Sequence, residues 1–569
     1  MNKWQLARKN PAYLKLTDDL KITRLAARIL SNRGLNDIDM VKKFLNPDLD
    51  ETNDPFILPD MEKAVARIIQ EKGTGKPVGI FGDYDVDGLV SITILKMFLS
   101  NIGIESLFYI PNRFNEGYGL SREGIDYFVK NNVSLLITVD CGATAHREVD
   151  YAKSRNMDVI VTDHHELDDC LPPALAVIDP KRKDSKYSFR ELAGVGVVYK
   201  LIQGIARNME LGLNDDEFLE FVAVGTIADI VPIIDENRIF VKYGLNRLNK
   251  LENVGLKTLI SSTGLLHKKL DTMQISFILA PRINACGRLG HAYPVLDLFF
   301  TRNEEEAMLV AEKLNLDNQK RKEIENYILA EAIEQIKKMK TPSKGLIVSQ
   351  ENWHRGVIGL VASKLVEMYR KPAIVISIEN DIAYGSGRSY GNFNIYSALK
   401  ECFPHLISYG GHKYAVGLSL KTNTIENFKK SFLSILNKEL VVDQEEENII
   451  IDEEISFNQI SQNLLLFLSQ LSPFGVGNPK PIFLTRGVEV VAPVSINSRH
   501  HMQIRMRESN TLVNATCYKL KNKIDIIPNK YYDILYNIDF QEKKGKFNYQ
   551  LNLIEVHQNL ELRPDDIWE

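Results

Sequence analysis

Short apolar runs of strand length alternate with longer segments of helical periodicity through much of the chain. Residues 78–81, 134–139 and 158–162 are rich in Val, Ile, Leu and Thr, a composition typical of strands buried on both faces of a parallel sheet. Helix-like segments separate these runs, so the pattern predicts β-α-β units. The same alternation returns at residues 345–349 and 373–378, which predicts a second α/β segment.

Three further regions follow other patterns. Residues 1–55 have a mostly helical pattern and end in a connection rich in Pro, Asp and Asn. Residues 303–340 are charged, with apolar residues at helical spacing, and predict one long or broken helix that bridges two domains. Beyond residue 481, short alternating runs predict a small β-barrel of the OB type.

The most informative polar residues lie in the segment VGIFGDYDVDG, residues 78–88. Asp83, Asp85 and Asp87 follow the first apolar run at every second position, and Gly88 precedes a helix-like stretch. Alternate side chains of an extended segment share a face, so these three carboxylates are expected to crowd together. Their mutual repulsion favours a site for a multivalent cation. The alternative is a solvated acidic turn.

Further carboxylates and imidazoles follow the later apolar runs. Asp140 ends one run, and Asp163, His164 and His165 end the next. Ligands gather outside the carboxyl ends of parallel strands, which is where these residues are expected. Asp229 interrupts the apolar stretch VGTIADIVP. Considered alone it favours a capping role, whereas beside the other acids it favours a metal ligand.

The residue types indicate which metal is expected. Carboxylates with one or two histidines, and no thiolate, suit Mn²⁺ or Mg²⁺ better than structural zinc. More ligands are present than one ion needs, so the pattern predicts two ions, about 3.5–4 Å apart, that share a carboxylate. Such a pair activates water and holds both the attacking and the leaving oxygen of a phosphoryl displacement. The predicted chemistry is hydrolysis of a phosphoester or phosphoanhydride.

Several motifs, in order, resemble a known family. DYDVDG, TVDCG, TDHH and GTIADIVP resemble the signature motifs of the DHH phosphoesterases, and WHRGVIG, GSGRS and GGHKYAVG resemble their accompanying DHHA1 domain. The blocks PNRFNEGYG, PRINACGR and PFGVGNPKP narrow the resemblance to bacterial members that digest single-stranded DNA from its 5′ end. The resemblance covers residues 50–485, and it departs mildly at Val86, where the family usually has Ala. Val86 is expected to point away from the carboxylates.

The resemblance implies a role for each matching residue. The implied metal ligands are Asp83, Asp85, Asp87, Asp140, His164 and Asp229. Asp140 would bridge the two ions, His165 would face the scissile phosphate, and Asp163 would orient a neighbouring ligand.

The resemblance also implies a substrate site. Arg113, Tyr118, Ser386 and Arg388 are expected to grip a terminal phosphate, since the planar guanidinium binds phosphate bidentately. Arg282, Asn284 and Arg288 would line the passage or support the metal site, and His412 would contact substrate. For any single arginine, a structural ion pair is an equally common role.

The implied fold is α/β, and five parts are expected along the chain. They are a helical leader (1–55), a DHH catalytic domain with a parallel sheet (56–300), a connecting helix (301–342), an α/β DHHA1 substrate-binding domain (343–440), and a linker with an OB-like nucleic-acid-binding domain (441–569). The expected activity is metal-dependent 5′→3′ hydrolysis of single-stranded DNA to nucleoside 5′-monophosphates in DNA repair and recombination. The alternatives are a phosphodiesterase of short oligonucleotides and a non-catalytic replication factor.

Composition limits the other possibilities. The net charge of −4 and the sequence pI near 6.3 argue against a uniformly basic DNA-coating protein, although they permit a local basic groove. The basic runs at 181–183, 337–344 and 505–507 are each more often solvated faces than binding sites. No P-loop or complete dinucleotide-binding fingerprint is present, so ATP and NAD are not expected.

Cysteine content and hydropathy predict the compartment. The five cysteines are scattered and form no CxxC pair, which fits a reducing cytoplasm. No apolar run reaches the roughly 18–20 residues that span a bilayer, and the N-terminus does not have the pattern of a secretory signal. The expected partners are single-stranded DNA with a 5′ end, a single-strand DNA-binding protein and a recombination helicase, and the expected state is a monomer without membrane contact.

Overall fold

The computed structural model describes residues 4–8, 10–212, 217–339, 343–439, 448–491, 495–496, 502–517, 526–543 and 545–559. Its contacts divide the chain into two compact units. Unit 1 comprises Met1–Thr52, Pro232–Lys242 and Gln444–Glu569, and unit 2 comprises Asn53–Val231 and Tyr243–Asp443. The predicted metal and phosphate residues all belong to unit 2.

The N-terminal segment is mostly helical, as its pattern predicts. Its elements are β1 (Trp4–Leu6), α1 (Ala12–Leu20), α2 (Arg24–Asn32) and α3 (Ile38–Leu45), followed by two 3₁₀ turns (Leu49–Glu51 and Pro55–Ile57). Thr23 and Asp37 begin α2 and α3 by accepting hydrogen bonds from free amides of the first turn. Leu16, Leu30 and Val41 are buried in the same core as the C-terminal sheet. This segment is therefore part of unit 1 and has no separate core.

A five-stranded parallel sheet forms the catalytic part of unit 2. Its elements are α4 (Met61–Glu71), β2 (Val78–Gly82), α5 (Val86–Asn101), β3 (Ser106–Tyr109), α6 (Arg122–Lys130), β4 (Leu135–Val139), α7 (His146–Ser154), β5 (Asp158–Thr162) and β6 (Ala176–Ile178). The strand order is β3-β2-β4-β5-β6, and every pairing is parallel. Every residue of β2 and β4 is buried, which explains why the strands are continuous apolar runs.

Helices complete this part of unit 2. They are α8 (Gly194–Asn208), α9 (Leu219–Ala228), α10 (Asp235–Leu248), α11 (Val254–Ser262), α12 (Thr272–Gln274), a π-helical turn (Ile275–Leu279), α13 (Ala280–Leu289), α14 (Tyr293–Phe300) and α15 (Glu304–Lys337). The first residues of α10 belong to unit 1. The connecting helix is a single α15 of 34 residues, capped by Asn303. None of the described helices has both the length and the apolar character required to cross a bilayer.

A second sheet follows α15 in unit 2. Its elements are β7 (Leu346–Glu351), α16 (Arg355–Tyr369), β8 (Ala373–Glu379), β9 (Ile382–Arg388), α17 (Ile395–Glu401), β10 (Ser408–His412), β11 (Ala415–Lys421) and α18 (Ile425–Glu439). The strand order is β10-β11-β9-β8-β7, with only β7 and β8 parallel. Ala415 of β11 lies opposite both Arg388 of β9 and His412 of β10. Opposed residues share a face, so Arg388 and His412 lie in one row on one face of the sheet.

The C-terminal segment forms the predicted barrel. Its elements are β12 (Ile449–Ile451), β13 (Glu453–Glu454), α19 (Gln462–Leu471), β14 (Phe483–Val490), β15 (Ser495–Ile496), β16 (Met502–Glu508), β17 (Thr511–Cys517), β18 (Tyr531–Lys543) and β19 (Lys546–Gln558). The strands β14, β18, β19, β17 and β16 are neighbours in that order, and pairing of β14 with β16 closes the ring. The predicted α/β fold with a C-terminal β-barrel is therefore confirmed. The basic run at 505–507 contributes Arg507, which pairs with Glu489 at 2.7 Å.

One buried arginine ties together the separate segments of unit 1. The Arg238 guanidinium in α10 donates hydrogen bonds to the carbonyls of Phe44, Gln470, Leu471, Ser472 and Pro473, at 2.8–3.3 Å. The side chain is 1% exposed, and its charge faces the Phe44 ring at 3.9 Å. Burial lowers its pKa to about 9.

Arg238→Met is expected to destabilise unit 1 by about 3–5 kcal/mol, because it leaves several buried carbonyls without donors. The measurement is urea unfolding followed by tyrosine and tryptophan fluorescence. Lys242→Met is the matched control, since this side chain in the same helix makes one long contact, 3.4 Å, to the Leu45 carbonyl. Equal and small effects of the two substitutions would contradict the role assigned to Arg238.

Candidate metal centre and phosphate site

The three aspartates after β2 are brought together by a turn into a helix. The strand ends at Gly82, and Asp85 caps α5 by accepting a hydrogen bond from the Gly88 N–H at 3.1 Å. Asp87 lies in the first turn of that helix. The expectation of one extended face is therefore wrong, because the helix begins at Val86. A Cβ at Gly88 would lie 2.7 Å from the Asp83 backbone, so glycine permits the tight return of the chain.

The Asp87 carboxylate is held by the amino end of a distant helix. Its two oxygens accept hydrogen bonds from the N–H groups of Gly194 and Val195, at 2.7 and 2.9 Å. These are the first residues of α8, whose free amides and dipole favour an anion. A Cβ at Gly194 would lie 2.5 Å from Asp140 Oδ1, so no larger residue fits between Asp87 and Asp140.

Asp140 and His164 follow neighbouring strands and meet at the same sheet edge. Asp140 comes directly after β4 with φ of 59°, in the left-handed region that Asp and Asn adopt more readily than most residues. His164 comes just after β5, and its Nε2 lies 3.2 Å from Asp140 Oδ1. The same nitrogen lies 3.6 Å from Asp229 Oδ2 and 4.0 Å from Asp87 Oδ2. Asp229 arrives from the C-terminus of α9.

The ligand atoms form two overlapping groups. Asp140, His164 and His165 form one, and Asp87, His164 and Asp229 form the other, each with its ligand atoms within 4.8 Å of one another. Asp83 and Asp85 lie at the same strand end without belonging to either group. Three buried atoms of these residues have no hydrogen-bonding partner in the described part of the chain: Asp83 Oδ1, Asp140 Oδ1 and His164 Nε2. Unpartnered buried oxygens and an imidazole nitrogen are the donor set of a metal site, so these residues fit Mn²⁺ or Mg²⁺.

The buried carboxylates repel one another, and a bound cation would offset this repulsion. Burial, followed by the charge of Asp85, raises the pKa of Asp87 to about 7. Burial and neighbouring carboxylates also raise the pKa of Asp83, Asp140 and Asp229 well above the ordinary range. Two carboxylates 4 Å apart repel by about 4 kcal/mol at an effective dielectric constant of 20. Burial lowers the pKa of His164 to about 3, which keeps this ring neutral and able to bind metal.

Asp163 fixes His165 at the mouth of the site. Its carboxylate accepts hydrogen bonds from the N–H groups of Ala143, His164 and His165, at 2.8–3.2 Å, and from His165 Nδ1 at 2.8 Å. Burial would raise the pKa of Asp163, but these contacts lower it to about 2. Burial would lower the pKa of His165, but Asp163 raises it to about 9, so the ring is protonated in the metal-free protein. Tyr118 lies 3.3 Å from this ring and donates to the Asp140 carbonyl at 3.3 Å.

Three arginines from separate elements converge beside the carboxylates. They are Arg113 after β3, Arg288 in α13 and Arg388 at the end of β9. Burial, followed by the charges of Arg113 and Arg388, lowers the pKa of Arg288 to about 10, and Arg113 also lowers that of Arg388. None of the three forms an ion pair with a described carboxylate. Their contacts are with the Tyr84 ring, the carbonyls of Gly356 and Gly387, and the Ser386 hydroxyl. Unpaired cations brought together form a site for a polyanionic group such as a phosphate monoester.

The other predicted substrate residues lie in different surroundings. Ser386 contacts Arg388 at 3.3 Å, and the exposed His412 lies in the same row of the sheet as Arg388. Asn284 accepts a hydrogen bond from the Val86 N–H at 3.1 Å and thus supports the Asp83–Asp87 turn. Arg282 binds Asn315 of α15 at 2.7 Å and the Ile278 carbonyl at 2.6 Å. The contacts of Arg282 are structural, and its role toward substrate stays a prediction.

Sequence reasoning missed two contributors. The amides of Gly194 and Val195 carry no side-chain signal, and the G-x-G at Gly194 and Gly196 predicts only the start of a helix. Asp179 follows β6 and is fully buried, with Oδ2 unpartnered, and burial and the charge of Asp163 raise its pKa to about 8. The run AVID had the strand-end pattern that identified the other acids, so this signal was present.

Comparison with known proteins decides the family. Residues 77–226 match the DHH family, N-terminal domain, residues 343–438 match the DHHA1 domain, and residues 451–555 match the RecJ OB domain. A single-stranded-DNA-specific exonuclease RecJ of Bacillus subtilis (strain 168) is 34% identical over 580 residues, which cover 100% of this chain and 73% of that protein. The chain belongs to the RecJ family.

Two further comparisons extend the RecJ likeness over the whole length. RecJ of Dickeya dadantii (strain 3937) is 30% identical, covering 97% of this chain and 98% of that protein. A crystal structure of RecJ in complex with Mn²⁺ from Thermus thermophilus matches with a TM-score of 0.83 at 25% identity, covering 98% of this chain and 80% of that one. The predicted DHH, DHHA1 and OB organisation of the fold is confirmed. Mn²⁺ in that RecJ agrees with the donor set found here.

Gly194→Ala is expected to reduce Mn²⁺ binding and hydrolysis at least about tenfold, because the new methyl group must displace Asp140 or lift the α8 amides from Asp87. The measurements are Mn²⁺ titration by calorimetry and turnover of single-stranded DNA. Gly196→Ala is the matched control in the same helix turn, where a Cβ meets only the Leu192 side chain at 3.4–3.9 Å. Wild-type metal affinity in Gly194→Ala would refute the close fit.

The metal-free protein is expected to lose stability as the pH rises from 7 to 9. In this range the native state binds protons that the unfolded state has released, because the pKa of His165 is raised to about 9 and that of Asp179 to about 8. The raised pKa values of Asp83, Asp140 and Asp229 act in the same direction. His164 is neutral in both states above its ordinary pKa and does not contribute in this range.

Thermal unfolding in EDTA and in Mn²⁺ measures this effect. The Tm in EDTA should fall by several degrees between pH 7 and 9, and Mn²⁺ should raise it most at pH 9. The double variant Asp140→Asn/Asp229→Asn should flatten the dependence in EDTA. If the Tm in EDTA rises with pH, or if Mn²⁺ does not change the Tm, the crowded carboxylates do not determine the pH dependence of stability.

Proposed function

We propose that this protein is a metal-dependent exonuclease that hydrolyses single-stranded DNA from the 5′ end and releases nucleoside 5′-monophosphates. The observation that carries the proposal is the juxtaposition, within unit 2, of the buried carboxylate and imidazole cluster with three unpaired arginines. Such a site combines phosphodiester hydrolysis with recognition of a terminal phosphate. The RecJ relatives are named as single-stranded-DNA-specific exonucleases, which supports the same substrate.

The metal residues are Asp83, Asp85, Asp87, Asp140, His164 and Asp229, and they would hold two Mn²⁺ or Mg²⁺ ions. When bound, the ions supply an activated water and neutralise the charge of the phosphate undergoing attack. Asp140 would be the ligand shared by the two ions, because its buried Oδ1 has no hydrogen-bonding partner among the described residues and lies 3.2 Å from Nε2 of His164, the residue common to both groups of candidate ligands. The neutral His164 completes the set without adding positive charge.

His165 acts on the phosphate itself. Asp163 and Tyr118 hold its ring, which is 45% exposed and so accessible to substrate. In hydrolysis, the water oxygen bonds to phosphorus as the bond from phosphorus to the 3′ oxygen of the first nucleotide breaks. We propose that this ring donates a hydrogen bond to the phosphate and supplies the proton that the leaving oxygen takes up.

The arginines set the polarity of digestion. Arg113, Arg288 and Arg388, with Ser386, hold the 5′-terminal phosphate, which places the first phosphodiester over the cluster. Each cleavage leaves a new 5′-phosphate on the remaining strand, so the same contacts are available in the next cycle. The OB-type barrel of unit 1 is proposed to add affinity for longer strands.

The wider setting is also a proposal. All five cysteines are free thiols, which is compatible with the cytoplasm as the site of action. We propose roles in DNA repair and recombination, a monomeric state, and cooperation with a single-strand DNA-binding protein and a recombination helicase.

The proposed function is tested with matched single-stranded and blunt duplex DNA, each 5′-phosphorylated and labelled at the 3′ end, with Mn²⁺. The expected products from the single strand are nucleoside 5′-monophosphates and a ladder of fragments that keep the 3′ label. Asp140→Asn is expected to abolish the reaction. Mononucleotides released first from the 3′ end, or equal digestion of the duplex, would overturn the proposal. Digestion confined to oligonucleotides of a few residues would instead identify a short-oligonucleotide phosphodiesterase.

Arg388→Ala is expected to raise KM for 5′-phosphorylated DNA by roughly tenfold to a hundredfold, the value of a charge-assisted contact. The same substitution should have little effect on 5′-hydroxyl DNA, because the lost partner is already absent. The measurement is a cycle of two proteins and two substrates. Arg282→Ala is the comparison, since this arginine binds Asn315. Equal penalties for both substrates in Arg388→Ala would contradict the contact.

A further inference from the structure

Lys181 lies beside the metal cluster, beyond the carboxyl end of β6. The Asp163 N–H donates to the Ile178 carbonyl at 3.1 Å, which holds the ends of β5 and β6 side by side. The Lys181 N–H donates to Asp179 Oδ1 at 2.7 Å and fixes the turn that follows. Lys181 therefore shares the sheet edge that carries His164 and His165, where substrate reaches an open α/β sheet.

Its two basic neighbours in the sequence have other roles. Arg182 is buried and bonded to Asp60, Asp184 and the Val177 carbonyl. The Lys183 ammonium pairs with Asp169 in solvent, with 82% and 97% of the two side chains exposed. Within the basic run 181–183, only Lys181 directs its charge to the site.

The Lys181 side chain is 21% exposed, and within the described part of the chain its ammonium pairs with one acid, Glu166, at 3.3 Å. Glu166 directly follows His165 in the sequence, and its side chain is 82% exposed. A pair with one partner in water contributes at most about 1 kcal/mol, so the ammonium can exchange it for a stronger anion.

The charge of Lys181 acts on three residues that the sequence predicts as metal or substrate ligands. Burial sets the direction of their pKa shifts, and Lys181 makes a smaller contribution that lowers the pKa of His164, Asp229 and His412. His164 lies just after β5, Asp229 directly follows α9, and His412 ends β10. Arg113 in turn lowers the pKa of Asp83. The sheet order β3-β2-β4-β5-β6 puts Arg113, after β3, and Lys181, after β6, at opposite edges of the sheet, with the acids that follow β2, β4 and β5 between them.

We propose that Lys181 binds the phosphate that follows the scissile phosphate on its 3′ side, forming a subsite for the third nucleotide. The inference rests on the proposed function, because it takes the arginines as the site of the 5′-terminal phosphate. With the terminal phosphate on the Asp83 side and the scissile phosphate over the cluster, the strand leaves on the side of Asp229 and Lys181. Without substrate, the Glu166 carboxylate pairs with the Lys181 ammonium, so it competes with that phosphate for Lys181.

The test uses oligonucleotides that differ by one phosphate. The dinucleotide pTpT has a terminal and a scissile phosphate only, whereas pTpTpT has the next one as well. Lys181→Met is expected to raise KM for first cleavage of pTpTpT and of a longer strand by about tenfold, while pTpT changes less than twofold. kcat should be nearly unchanged, since the contact is the same in ground and transition states.

Three variants serve as controls. Lys183→Met, the exposed neighbour, should behave as wild type on every substrate. Lys181→Arg should restore most of the affinity for pTpTpT, and Glu166→Gln should lower KM for pTpTpT by removing the competing anion. Thermal unfolding of each variant checks that the fold is retained.

Equilibrium binding of the same labelled oligonucleotides in an Asp140→Asn background repeats the comparison without chemistry. Weaker binding of pTpTpT but not of pTpT in Lys181→Met supports the subsite. An equal loss on both lengths, or no loss on either, overturns it. A separate result would contradict the proposed function: the wild-type protein would bind these oligonucleotides but would not cleave them in the 5′→3′ direction.

Discussion

Repulsion among buried carboxylates at one edge of a parallel sheet is the constraint on which the rest of unit 2 depends. Asp83, Asp87, Asp140 and Asp163 are each at most 2% exposed, so water cannot screen their charges. Two of the four have a separate local source of stabilisation. Asp87 binds the amides of α8, Asp163 binds three backbone amides and a protonated ring, and Asp83 and Asp140 keep unpartnered oxygens. The oxygens of Asp83 and Asp140 that have no donor among the described residues are available to a metal ion.

This division separates structural acids from metal ligands. Asp163 has its full complement of hydrogen bonds and a depressed pKa, so it remains an anion that orients His165. Asp140 lacks such donors and has a raised pKa, so it gains most from a cation. Two aspartates one strand apart thus have different chemistry because of their backbone surroundings, although the residue type is the same.

The cations around the cluster explain how an acidic protein can bind a polyanion. The net charge is −4, yet Arg113, Arg288, Arg388 and Lys181 are collected around the one site. Arg113 and Lys181 follow strands of the first sheet of unit 2, and Arg388 ends a strand of the second. Arg288 belongs to α13. The electrostatic potential at the site depends on these nearby charges more than on the net charge of the whole chain.

The sequence was sufficient to locate the strand ends, because an apolar run followed by an acid has few other meanings in a parallel sheet. It predicted Asp140, Asp163, His164 and Asp229 as neighbours, and the structure brings them together. It was wrong about the extended geometry at 83–87, since the capping of α5 by Asp85 depends on where the helix begins. The contact of Asp87 with Gly194 spans 107 residues and involves backbone amides, so no local pattern reports it.

Other parts of the chain show the same limit. The sequence pattern predicts the helices of residues 1–55. It does not predict that these helices share a core with the barrel, because that depends on packing between residues far apart in the chain. Arg282 and Arg288 belong to one motif but have different contacts. They project from different faces of α13, Arg282 toward α15 and Arg288 toward Arg113 and Arg388. The motif alone does not indicate this difference. The C-terminal β runs predict exposed aromatic residues for base stacking, and one of these, Tyr518, lies outside the described residues.

The backbone of Asp140 has a consequence for how this site changes in evolution. Its left-handed conformation is strained for most side chains, and the residues that adopt it readily are Gly, Asn and Asp. Codons for Asn and Gly each differ from an Asp codon by a single base. The neighbouring sequence space is therefore rich in chains that keep the fold while losing the ligand. A lineage under weak selection for hydrolysis would lose catalysis before it lost structure, and its descendants could keep this scaffold for binding alone.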